Sequence, residues 1–125
     1  MKIIEELKYS NDHEWVKAEG NSAYIGITDY AQHSLGDIVY VELPEVGSRI
    51  GKDAVLGVVE SVKAASDVFL PVSGTIVKVN EAITEDPALL NKDAFENWMV
   101  YIEMSNPKEL DQLMNAAEYK KICIE

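Results

Sequence analysis

The apolar residues of this chain come in short runs, each stopped by glycine, proline, asparagine or charge. The longest stretch free of Asp, Glu, Lys and Arg covers residues 68–77, and Pro71 interrupts it. A membrane-spanning helix needs about 20 consecutive apolar residues, so no run here qualifies. Short runs rich in valine and isoleucine are strand material. Residues 13–19 and 22–27 flank Gly20-Asn21 and predict an early hairpin. Residues 38–43 stop at Pro44, and residues 54–60 and 67–70 are apolar. Residues 75–80 alternate, with Val77 and Val79 expected on one face and Lys78 and Asn80 on the other. Alternation over 98–104 groups Trp98, Val100, Ile102 and Met104.

Helix signals are fewer. Thr28-Asp29 offers an N-cap for a short helix through Leu35, with Gly36 placed to end it. Asp86-Pro87 is a second short cap. Asn106-Pro107-Lys108-Glu109 reads as a capping-box variant with proline at the first helical position. Behind it Leu110, Leu113, Met114 and Ala117 make one apolar stripe, and Lys120 and Lys121 suit a helix C-terminus. Seven or so short strands with peripheral helices predict a mostly-β sandwich or flattened barrel, one domain over residues 1–125.

Charge narrows the function. The 125 residues hold 11 basic and 22 acidic side chains, a net charge of −11. Nucleic acid and anionic membranes need a basic footprint, so neither is an expected partner. The start is acidic too early for a targeting segment, which predicts a soluble cytoplasmic protein of bacterial type. Catalytic side chains are scarce. His13 and His33 stand in no metal-ligand spacing and read as surface residues, and the single Cys123 reads as an inert thiol. No glycine-rich phosphate loop or nucleophile elbow is present, and no metal site or catalytic residue is assigned.

One segment stands apart. Folded about Lys63-Ala64, the flanks match by type: Val62 faces Ala65, Ser61 faces Ser66, Glu60 faces Asp67, and Val59 faces Val68. The pattern is a hairpin over about residues 54–70 with a lysine at its tip. Lys-Ala is poor turn chemistry, and two opposed carboxylates are unfavourable. Local rules broken at one place often mark function. A lysine presented between small residues suits entry into another enzyme's active site and covalent acylation there. Acidic neighbours favour its charged form, so a separate enzyme must remove the proton.

Longer motifs accompany the hairpin. They are His13-Glu14-Trp15-Val16, Gly26-Ile27-Thr28-Asp29-Tyr30-Ala31-Gln32, Leu35-Gly36-Asp37-Ile38-Val39, Val41-Glu42-Leu43-Pro44-Glu45-Val46-Gly47, Glu60-Ser61-Val62-Lys63-Ala64-Ala65-Ser66-Asp67 and Pro71-Val72-Ser73-Gly74. In this order, over about residues 9–119, the chain resembles the H-protein family of the glycine cleavage system. The resemblance implies a lipoyl/biotinyl-type flattened barrel-sandwich of two small sheets, with a C-terminal helical segment over about 106–122. It implies lipoate as an amide on Lys63 and a carrier role without catalysis. The expected partners are glycine decarboxylase (P protein), aminomethyltransferase (T protein) and dihydrolipoamide dehydrogenase (L protein). A lipoate ligase or a lipoyl/octanoyl transferase would load the lysine of a monomeric carrier. Glu14, Asp67 and Asp12 match the cleft that holds the loaded arm's amine, and Glu60 and Gly47 match positions of lipoylation recognition. A lipoate-relay carrier for 2-oxoacid dehydrogenases shares the same lysine. A biotinyl carrier fits less well, because Val62 and Ala64 stand where biotin acceptors usually have methionines. One region departs from the family: residues 93–98 read Asp-Ala-Phe-Glu-Asn-Trp, without its usual proline and glycines, which bears on loop geometry and partner contact there.

Overall fold

The computed structural model describes residues 1–123. Among the described residues nine strands form two antiparallel sheets: Lys8–Tyr9 (β1), Glu14–Glu19 (β2), Ser22–Ile27 (β3), Ile38–Glu42 (β4), Arg49–Ile50 (β5), Val55–Ser61 (β6), Ala65–Phe69 (β7), Gly74–Val79 (β8) and Val100–Met104 (β9). One sheet runs β1-β2-β3-β9-β8-β5 and the other β4-β6-β7. Between them lies the main core, including Ile25, Val41, Val59, Ile76, Val100 and Ile102. The small sheet is held against the large one by this apolar layer. A second cluster, Leu7, Tyr9, Trp15, Ala116 and Tyr119, packs away from the main core.

Helix Asp29–Leu35 (α1) has Thr28 as its N-cap, accepting from the Ala31 N–H, and ends at Gly36 with φ +81°. The short helices Ala82–Glu85 (α2) and Leu89–Lys92 (α3) follow β8. No helix of the described residues is long and apolar enough to cross a membrane.

Three sequence expectations require correction. A bulge between Ile76 and Lys78 breaks the alternation of β8, so Val77 and Lys78 are both exposed. Trp98 precedes β9 and packs on Tyr24, ring centroids 5.2 Å apart, rather than joining Val100 and Ile102 in the core. The C-terminal segment is two helices, not one. A 3-10 helix covers Pro107–Gln112, Met114 then bridges Tyr9, and Ala116–Ile122 forms α4. Glu109 is unavailable for a capping box because Ser73 occupies its carboxylate through N–H and Oγ, at 2.8 and 3.0 Å. The capping box sits instead between Asn115 and Glu118 and starts α4 afresh.

The unusual loop before Trp98 is pinned by side chains in place of proline and glycine. Asp93 Oδ1 accepts from the Phe95 and Glu96 N–H groups, and Asn97 Nδ2 donates to the Leu89 and Asp93 carbonyls.

Candidate functional site

Lys63 stands exposed at the tip of the β6–β7 hairpin, with Ala64 and Ala65 exposed beside it. The register differs from the type-matched folding. Glu60 pairs with Ala65, Val59 with Ser66 and Val58 with Asp67, so the fold axis lies between Val62 and Lys63. Glu60 and Asp67 are therefore not opposed. The change is two residues of pairing, which keeps each side chain on its face. Ser61 decides it: its N–H donates to the Ala64 carbonyl at 2.8 Å, while its Oγ accepts from Lys63 N–H at 3.1 Å and Ala64 N–H at 3.2 Å. A serine that satisfies the turn's free N–H groups replaces the Asn-Gly chemistry that such turns usually want.

The tip rests on the end of α1. Val62 N–H donates to the Asp37 carbonyl at 3.0 Å. A Cβ added to Gly36 would lie 3.3 Å from Lys63 Cε and 3.9 Å from Nζ. The glycine thus ends the helix with its positive φ and also leaves bare backbone beneath the lysine. Asn91 of α3 fixes this platform, donating to the Gly36 carbonyl and accepting from Ile38 N–H. Gly36 appeared in the sequence only as a helix stop, and Asn91 gave no signal.

Glu14 lies at the other end of α1. It pairs with Ile27, the residue before the Thr28 cap, and only 2% of its surface is exposed. Ser10 Oγ donates to its Oε1 at 2.6 Å, and Phe69 N–H donates to its Oε2 at 3.1 Å. The carboxyl thereby joins the large sheet to β7, two residues along from Asp67. Burial pushes its pKa up to about 7, against the lowering effect of those two hydrogen bonds, and Asp12 and Asp53 add to the rise. Asp12 is exposed and, with Ser10, Lys52 and Asp53, lines an open pocket of about 200 Å³. Ser10 and Asp53 were not singled out from sequence; Ser10 matters here as the hydroxyl partner of Glu14.

The structure separates the two positions matched to lipoylation recognition. Glu60 lies three residues before Lys63, beside Tyr40. Gly47 sits in the turn after β4, at φ +94°, with its N–H donating to the Ile76 carbonyl. Strand β4 begins opposite Ser61 near the tip and ends opposite Val58, so Gly47 lies beyond the far end of that ladder.

His13 is not a simple surface residue. It is half-buried at φ +66°, its Nδ1 lies 2.8 Å from Tyr119 Oη, and its ring stacks on Tyr30 at 4.5 Å. Burial lowers its pKa, with Asp12 acting in the opposite sense. Tyr119 Oη also lies 2.6 Å from Thr28 Oγ1, so the cap of α1, the start of β2 and α4 share one network. His33 is exposed on α1, and Cys123 is half-buried, outside any disulfide, beside the Tyr119 hydroxyl. Among the described residues no group of three His, Cys, Asp or Glu side chains is arranged to hold a metal ion.

Residues 7–125 match the family model described as Glycine cleavage H-protein. A glycine cleavage system H protein from Thermoanaerobacter pseudethanolicus is 61% identical over 125 residues, covering 100% of this chain and 99% of the relative. One from Alkaliphilus oremlandii is 57% identical over 123 residues, covering 98% and 97%. The crystal structure of a glycine cleavage system H protein from Mycobacterium marinum superposes with a TM-score of 0.87 at 36% identity, covering 95% of this chain and 97% of that one.

Proposed function

The chain belongs to the glycine cleavage H-protein family, and from that membership we propose that it is the lipoyl-bearing shuttle of glycine cleavage, with Lys63 as the attachment point. The observation that carries the reading is the exposed Lys63 on a serine-clamped tip above the bare backbone of Gly36. A long amide-linked chain fits such a lysine, since no side chain at residue 36 obstructs its stem. Lipoate would supply a disulfide that accepts an aminomethyl group and is restored by reoxidation.

The chain's own residues present that group and shelter it. A lipoyl-lysine arm of about a dozen bonds reaches on the order of 15 Å. The seven residues of α1 span about 10 Å at roughly 1.5 Å each. Lys63 lies by one end of α1 and Glu14 by the other, so an arm of that length exceeds the helix between them. Glu14 supplies a carboxyl already held by Ser10 and Phe69, and an alkylammonium beside it favours the ionised form. Asp67 and Asp12 supply exposed carboxylates nearby. Water is restricted at the buried Glu14, which suits protection of a labile amine.

This reading makes the chain a substrate of its partners rather than a catalyst. They are glycine decarboxylase, aminomethyltransferase, dihydrolipoamide dehydrogenase, and a lipoate ligase or lipoyl/octanoyl transferase. A net charge of −11 suits a freely diffusing cytoplasmic monomer. Intact mass and peptide mapping of protein made in lipoate-competent cells should place a lipoyl adduct on the Lys63 peptide. Incubation with glycine and glycine decarboxylase should then add an aminomethyl group and release carbon dioxide. An unmodified Lys63 would sink the proposal.

A further inference from the structure

The ladder between β4 and β6 breaks at one residue beside the lysine tip. Ile38 pairs with Ser61 and Tyr40 with Glu60, leaving Val39 unpaired as a β-bulge. Bulges re-aim side chains and occur next to functional sites. Here Val39 and Tyr40 are 56% and 47% exposed, and Val62 at the tip is 69% exposed. The Val62 N–H bond to the Asp37 carbonyl brings the hairpin tip against the chain just before β4, on which Val39 and Tyr40 lie. The neighbouring backbone positions are acidic: Asp37 is bonded to Val62, Glu60 is paired with Tyr40, and Glu42 ends the same strand, while Lys63 is the only basic residue within residues 53–77.

We propose that Val39, Tyr40 and Val62 are the docking patch for the enzyme that forms the amide on Lys63. That enzyme would present an apolar pocket rimmed by lysine and arginine. The inference rests on the reading of Lys63 as the acylated lysine. Two arguments select this occupant. The amide-forming enzyme must bring Nζ itself against an acyl carbonyl, so it touches the surface within a few residues of the tip. Enzymes that act on the far end of a finished arm, about 15 Å away, need not. Charge supplies the second argument: the acidic rim complements a basic partner and repels a second copy of this chain. In the step served, uncharged Nζ attacks the carbonyl carbon of an acyl adenylate. The C–N bond forms, the C–O bond to phosphate breaks, the nucleotide leaves with the electron pair, and the surplus proton passes to a base of the partner.

The test uses full-length, unmodified protein with a purified lipoate–protein ligase, lipoate and ATP, following acylation of Lys63 by intact mass. The variants are Tyr40→Ser, Val62→Ser and the two combined, with folding checked by thermal denaturation. The double variant should lose at least about tenfold in kcat/KM for acylation, the effect of removing a central aromatic anchor and its neighbour. The wild-type kcat/KM should fall as salt is raised. After prolonged loading, the double variant should be reduced by dihydrolipoamide dehydrogenase within about twofold of wild type, since that contact lies elsewhere. Equal acylation of variant and wild type would overturn the patch alone. So would equal losses in the acylation and reduction assays. No acylation of wild-type Lys63 would overturn both the patch and the lipoyl reading.

Discussion

Glu14 and Lys63 stand at opposite extremes of exposure, and their physics differs accordingly. The Glu14 carboxyl is withdrawn from water, which raises its pKa from 4.5 to about 7. The folded chain therefore holds this proton more tightly than the unfolded chain. Stabilisation from that excess affinity is complete below about pH 4.5 and is lost as pH rises through about 7. At about 1.4 kcal/mol per pKa unit the loss is about 3 kcal/mol. In Glu14→Gln this loss is absent. Urea denaturation should show the variant gaining about 3 kcal/mol relative to wild type between pH 4.5 and 8, in line with that shift. An identical pH dependence in both proteins would refute burial of a titrating Glu14. The sequence alone made Lys63 visible, because small neighbours and poor turn chemistry surround it. Glu14 was visible only within a longer motif. Its strand reads buried-buried-buried then exposed-exposed-exposed, so no alternation announces which carboxylate is inside.

The elements were legible where local chemistry decides them. Thr28 and Gly36 delimit α1 as expected, and Gly20 turns the first hairpin with φ +63°. They were misread where a distant partner takes the deciding side chain. Ser73 claims Glu109 across 36 positions of sequence, and the C-terminal helix breaks as a result. The register of the lysine hairpin differs from matching by residue type for a nearer reason: the Ser61 hydroxyl is the turn's acceptor. Ser61→Ala leaves Lys63 N–H and Ala64 N–H without that acceptor. The expected cost is about 1 kcal/mol, with faster amide exchange at both residues and slower acylation of Lys63. Unchanged exchange would mean that backbone pairing alone sets the tip. Asn115→Ala should cost a similar amount, about 1 kcal/mol, by opening the capping box of α4. Its effect should appear in the C-terminal amides and leave those of the hairpin unchanged.

At the scale of the molecule, the two clusters answer different needs. The main core fixes the two sheets face to face, while the aromatic cluster ties chain ends to the region around α1. Tyr9 and Tyr119 stack at 4.4 Å, and the Tyr119 hydroxyl reaches His13 and Thr28 across 106 and 91 positions of sequence. Such a link is invisible to periodicity, because each residue taken singly reads as an ordinary aromatic, histidine or cap. Its position makes the last helix a support for the first. Thr28 caps α1, His13 precedes Glu14, and both depend on one phenol anchored from α4. Tyr119→Phe keeps the stacked ring and removes the bridge, leaving two partly or fully buried polar groups short of a partner. The expected loss is about 1–3 kcal/mol of stability. Amide exchange distinguishes the mechanism: the Ala31 N–H, which donates to the Thr28 hydroxyl, should exchange faster, whereas the Ser61 N–H at the hairpin should not. Uniform acceleration would indicate global destabilisation instead. A local effect would mean that the cap of α1 is set by the last helix and, on the proposed lipoyl reading, that loss of the phenol shortens retention of a bound amine while leaving acylation of the lysine intact.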